Sequence, residues 1–91
     1  MEQLFRKWLE ENTELSESSI GKYVGAIRTI TKDMLSEGVI NKNLYNVTSA
    51  AELCIIMKAI YSNSFFDKKD TRGNKMYSNA LKQYYEYLKS K

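Results

Sequence analysis

The side chains here best suited to chemistry are cations with tyrosines set among them. In the stretch RGNKMYSNALKQYYEYLKSK, residues 72 to 91, four of the protein's seven tyrosines lie among five basic residues. Such a mixture suits recognition of a nucleic acid, where cations meet phosphate and rings meet apolar surface. It equally suits a helix whose rings fill a core. Catalysis has far less to work with. There is no histidine and only one cysteine, Cys54, so a zinc site, a Cys/His nucleophile pair and a Ser-His-Asp triad are excluded within this chain. Asp67 and Asp70 in DKKD echo a nuclease metal centre weakly, and in their polar context they read as a solvated loop. Gly73 stands alone, with no GKS or GKT after it, so there is no phosphate loop. The chain reads as a binding module that uses no cofactor, and not as an enzyme.

With 91 residues, 43% of them hydrophobic, the chain suffices for one domain with a modest core. It contains no proline, only four glycines and no long alternation of apolar and polar residues, which implies an all-α fold. The opening MEQLFRKWLEEN is amphipathic rather than a charged head followed by an apolar run. No window approaches the ~18 apolar residues of a membrane span, so a cytoplasmic protein is expected. Cys54 reads as a small buried hydrophobe.

Four main helices in a small orthogonal bundle are expected. The first runs from Glu2 to Glu11, with Leu4, Phe5, Trp8 and Leu9 on one stripe. Ser16 is an N-cap for the second, and Leu15 and Ile20 stand at staple positions around it. Ile20, Tyr23, Val24, Ile27, Ile30, Met34 and Leu35 hold the inner face of that helix up to Gly38, a C-terminal stop. The link VINKNLYNV is apolar enough to pack as an ordered connection. Helix 3 follows from Thr48 or Ser49 to Tyr61, with Ser49 and Glu52 at capping-box spacing, and its apolar residues all round suggest a place in the middle of the bundle. SNSFFDKKDTRGNK reads as the one real loop. Asn74 is then the expected N-cap of helix 4, with Tyr77, Ala80, Leu81, Tyr84 and Leu88 inward and Tyr85 and Tyr87 on the flanks.

Charge is uneven along the chain. Residues 1 to 46 carry six Lys/Arg against seven Asp/Glu, and residues 47 to 91 carry eight against four, which favours an anionic partner on the second half. Two polar stripes are candidate faces. On helix 2, Gly21, Gly25, Arg28 and Lys32 fall on one line, and two interior glycines cost about 1 kcal/mol each relative to alanine. Either a phosphate backbone or another helix packs close there. On helix 4, Lys75, Ser78, Asn79, Lys82 and Lys89 lie opposite the tyrosines. Lysine suits phosphate or guanine, asparagine suits adenine, and serine is permissive, so the set suits a major groove. Lys68, Lys69 and Arg72 add phosphate ligands from the preceding loop, and the positive end of the helix points the same way. An ordinary solvated face has the same composition.

FRKWLEENTELSESSIGKYVGAIRTI, followed much later by YSNALKQYYEYLKSK, resembles the helical core-binding, SAM-like N-terminal domain of phage integrases and other tyrosine recombinases. The resemblance rests on Leu15, Ser16, Ile20 and Tyr23 at the start of helix 2, and on Ala80, Leu81, Tyr84, Tyr85, Tyr87 and Leu88 in helix 4. The run from Gly73 to Leu81 is also similar to N-terminal recognition regions of some bacterial restriction-type endonucleases. The recombinase resemblance implies contact with double-stranded DNA through helices 2 and 4, near Ser18, Ser19 and Lys22 and near Lys75, Ser78, Asn79 and Lys82. It also implies a separate catalytic domain, so none of these tyrosines is read as a nucleophile. The reading from the residues adds Arg28, Lys32, Lys68, Lys69, Arg72 and Asn74 to the DNA face. A protein-interaction or dimerisation module is the competing class.

Overall fold

In a computed structural model, which describes residues 2–91, the chain is helical throughout, with no strand among the described residues. Five α-helices follow one another: α1 (Glu2–Asn12), α2 (Glu17–Ser36), α3 (Ala50–Tyr61), α4 (Ser64–Arg72) and α5 (Met76–Lys89), with a 3-10 turn (Leu44–Asn46) between α2 and α3. One more helix is present than the four expected, because residues 64–72 are helical rather than loop.

Local chemistry accounts for most of the boundaries. The Ser16 hydroxyl accepts from the Ser19 amide at 3.1 Å, starting α2. At the other end Gly38, with φ 73°, closes a Schellman motif. Its amide donates to the Leu35 carbonyl at 3.2 Å, and the Val39 amide donates to Met34 at 2.9 Å. Ser49 accepts from the Glu52 amide at 3.3 Å. The Glu52 carboxylate meets Lys42 at 2.6 Å, so it is occupied by an ion pair across to the connecting segment. Asn63 does for α4 what Ser16 does for α2, accepting from the Phe66 amide at 2.9 Å.

The long α2 is the axis of the molecule, packing against α1, α4, α5 and the 3-10 turn. It buries Ile20, Val24, Ala26, Ile27, Ile30, Thr31 and Met34. Leu35 was expected to join them, but it is 43% exposed, because the inner face turns toward the C-terminal cap through Met34 and Val39. Helix α3 is not central either. Only Leu53 and Ile60 are buried on it, and Ile55 is 70% exposed. An all-round apolar helix here lies at the edge, leaving one apolar side uncovered.

An aromatic cluster fills the space between α1, α5 and the 3-10 turn. Phe5 lies edge-on to Tyr84 with centroids 5.1 Å apart, and Tyr45 is edge-on to Tyr84 at 5.5 Å. Tyr87 completes the group against Phe5 and Trp8; it is buried rather than on a wet flank. Both central phenols are satisfied by backbone. Tyr84 shares its one hydroxyl proton between the carbonyl oxygens of Leu44 (3.1 Å) and Val47 (3.0 Å), and Tyr45 donates to the Val24 carbonyl at 2.8 Å. Thr31 joins the same turn to α2, accepting from the Leu44 amide at 3.2 Å while donating to the Ile27 carbonyl. The apolar connection thus packs down as its composition implied.

Burial pushes the Tyr45 and Tyr84 phenols well above their ordinary value of 10.0. A raised folded-state value means that the neutral phenols contribute fully below pH 10 and that this contribution is lost as pH rises beyond it. The free energy of unfolding should therefore fall above about pH 10, by about 1.4 kcal/mol per pH unit for each buried phenol. Tyr84→Phe should cost about 1 kcal/mol at neutral pH and remove one phenol's share of the alkaline slope, as read by urea unfolding at a series of pH values.

Candidate nucleic-acid interface

The helix α5 face is built by the joint that precedes it. Asn74 does not cap α5, contrary to its expected role. With φ 56° it is the left-handed residue that ends α4: its amide donates to the Thr71 carbonyl at 3.2 Å, and the Lys75 amide donates to Asp70 at 2.8 Å. This is a second Schellman motif, and asparagine tolerates the left-handed region better than most residues do. Lys75 is left-handed as well, at φ 66°, and caps nothing with its side chain. The cap of α5 comes instead from Asp70, whose carboxylate accepts from the Ser78 amide at 2.9 Å. Asp70 is 3% exposed and its second oxygen lies 3.9 Å from the Lys75 ammonium. It is a buried structural carboxylate, not part of a solvated DKKD loop.

Beside this joint lies a cleft of about 470 Å³. Lys75, Ser78, Asn79 and Lys82 form its α5 side, and Asp67, Asp70 and Phe66 its α4 side, with Tyr61 from α3 alongside. Four residues of the expected groove-reading set thus share one wall. Lys75, Asn79 and Lys82 are exposed, whereas Ser78 is half-buried and its hydroxyl donates to the Lys75 carbonyl at 3.1 Å. Lys89 stands apart, paired with Glu86 at 3.8 Å and 5.5 Å from the Tyr85 ring.

The cations of α4 divide. Lys68 and Arg72, one turn apart, are exposed and flank a second depression with Asp67 and Thr71. Lys69 faces the other way. Its ammonium meets Asp33 of α2 at 2.7 Å and lies over the rings of Phe65 (6.0 Å) and Tyr77 (5.5 Å). That cation fastens α4 to α2, a role its place in a basic run does not disclose.

On α2 the two sets of expected contacts separate. Ser18, Lys22 and Lys32 are exposed, and Ser19 is tied to the cap, where its hydroxyl accepts from Ser16 at 3.2 Å. Arg28 is drawn to Glu2 of α1 at 3.6 Å. The glycine stripe lies along the same side: a methyl group on Gly21 would meet only the tip of Arg6 at 3.7 Å, and one on Gly25 the tip of Arg28 at 3.9 Å. No other helix backbone approaches either glycine, so packing within the chain does not require them.

Three side chains decide the site and were missed in the sequence: Asp70 as cap, Lys69 as tether and Asn63 as the start of α4. Asn63 was the available signal, an N-cap residue just ahead of Phe65 and Phe66. Asp70→Ala should lower stability by about 1–3 kcal/mol, because it strands a helix N-terminal amide, whereas Asn74→Gly should be neutral or slightly stabilising; thermal unfolding separates the two. Gly25→Ala should raise stability by about 0.5–1 kcal/mol in the same assay.

Comparison with known families is consistent with this helical frame. No curated protein and no solved structure matches the chain significantly. A family model described as the phage integrase SAM-like domain matches residues 1–53, covering α1, α2, the 3-10 turn and the first turn of α3. The cleft lined by Lys75, Ser78, Asn79 and Lys82 lies beyond the matched residues. With more than half of its length matched, the chain belongs to the phage integrase SAM-like domain family.

Proposed function

We propose that this chain is a double-stranded DNA-binding module of a site-specific recombinase or integrase, holding phosphates with the cations around the α4–α5 joint and presenting the first two turns of α5 to the major groove. The observation that carries the reading is the shared cleft wall of Lys75, Ser78, Asn79 and Lys82. A helix, a three-residue turn and a second helix with exposed lysine and asparagine near its start suit groove recognition by the second helix. Family membership favours a recombinase parent over a restriction-type one. Strand cleavage then belongs to a separate catalytic domain, as the recombinase resemblance implies, and Tyr45 and Tyr84 are buried, hydrogen-bonded to carbonyls and hard to ionise.

Lys68, Arg72, Lys75 and Lys82 are the phosphate ligands in this reading, with Asn74 beside them on the joint. Asn79 reads a base, and Ser78 packs at its side. Lys69 contributes to the local potential while it holds α4 to α2. Ser18, Ser19 and Lys22 at the start of α2 form the second contact implied by the resemblance. Lys32 stands free to join a phosphate, whereas Arg28 must first leave Glu2.

The protein-docking alternative has one specific observation in its favour, the uncovered side of α3 with Ile55 70% exposed. Salt separates the two. Phosphate contacts release counterions, so DNA affinity should fall steeply between low and physiological salt, whereas an apolar interface is nearly indifferent. In anisotropy titrations against random duplex DNA, Lys75→Ala and Lys82→Ala should each reduce the log–log salt slope by about 0.9, and Asn79→Ala should alter base preference. Unchanged binding in all three variants would remove α5 from the interface.

A further inference from the structure

The cleft holds a group that a simple phosphate clamp does not need. Asp67, in the first turn of α4, is exposed on the cleft wall opposite Lys75, Asn79 and Lys82. Its carboxylate makes no side-chain hydrogen bond or ion pair among the described residues, although lysines share its cleft. Asp70 differs, with one oxygen on the Ser78 amide and the other toward Lys75. The positive end of α4 explains why an acidic residue is tolerated at 67. It does not explain an acceptor left unpaired in a cleft whose charged lining is Lys75, Lys82, Asp67 and Asp70, where it opposes phosphate. Such an acceptor is useful when the ligand brings both an anionic backbone and a hydrogen-bond donor. In DNA that donor is an exocyclic amino group on a base edge, cytosine N4 or adenine N6, and a carboxylate is a natural acceptor for the cytosine amine.

We infer that Asp67 is a specificity-determining residue, its carboxylate accepting a hydrogen bond from an exocyclic base amine in the cleft while Lys75 and Lys82 hold the flanking phosphates. The inference rests on the DNA-binding reading above. Under it, Asp67 lowers affinity for duplexes in general and confers preference at one base position. Its loss therefore has opposite effects on the two quantities. A lysine in the same cleft behaves differently, since its loss weakens binding to every sequence alike.

The test is selection from a randomised duplex pool with the wild-type chain, Asp67→Ala and Asp67→Asn, with circular dichroism melts establishing that each variant is folded. The wild type should enrich, at one position, the base pair and orientation that place a cytosine N4 or adenine N6 amine toward Asp67, and should lose about 5- to 150-fold in affinity when that pair is reversed between the strands. Asp67→Ala should bind random duplex at least as tightly as wild type and lose that preference. On the DNA side, deleting the amino group by placing purine for adenine, or by the equivalent change in cytosine, should weaken the wild type and leave Asp67→Ala unaffected. This arm needs no folded variant to show a loss. Wild-type binding with no preference at any position, or an unchanged preference in both variants, overturns the role of Asp67 and leaves the DNA reading standing. Failure of the wild type to bind any duplex at low salt overturns both.

Discussion

The Tyr84 hydroxyl, donating into the Leu44–Val47 turn, is the contact on which the rest of the arrangement depends. A three-residue 3-10 turn has few internal hydrogen bonds and cannot hold its place by itself. Here the phenol from α5 occupies its carbonyls, Thr31 of α2 takes its Leu44 amide, and Tyr45 reaches back to Val24. Phe5 and Tyr87 then enclose the two rings. The cluster couples α1, α2 and α5 through residues far apart in sequence, and buried tyrosines of this kind add apolar area while satisfying backbone that would otherwise be stranded.

With α5 held from behind by that cluster, its exposed side is positioned from the front by the α4 joint. Two successive left-handed residues, Asn74 and Lys75, turn the chain sharply, and left-handed backbone is costly for a lysine. The turn is stabilised by the Schellman bonds of α4 and by the buried Asp70 carboxylate on the α5 amide. Lys69 adds the third restraint, tying α4 to Asp33. As a result the cleft residues sit on two short helices whose mutual placement is fixed from three sides. Rigid presentation of this kind lets a few polar side chains discriminate among ligands.

Net charge describes this surface poorly. Of the cations read in the sequence as phosphate ligands, Lys69 and Arg28 are engaged with Asp33 and Glu2. Lys68, Arg72 and Lys82 have no such partner and are exposed. These three lie on α4 and the first two turns of α5, outside the region that establishes family membership.

Several features were legible in the sequence because they are local. Ser16 and Gly38 delimit α2 through hydrogen bonds to residues three or four positions away, and the spacing of Ile20, Val24, Ile27 and Ile30 follows from 3.6 residues per turn. The inward stripe of α5 through Ala80, Leu81, Tyr84 and Leu88 followed in the same way. Helix α4 was hidden because its buried face combines Phe66 with a carboxylate, Asp70, so apolar periodicity could not reveal it. The edge position of α3 was hidden for a related reason: a helix that is apolar all round does not state which side is covered, and only the packing of α2 and α5 decides that. Sequence determined the helices that are capped and patterned by their own neighbours. Tertiary structure decided which charges became tethers and which stayed free, because an ion pair such as Lys69 with Asp33 depends on distances between helices that no local pattern encodes.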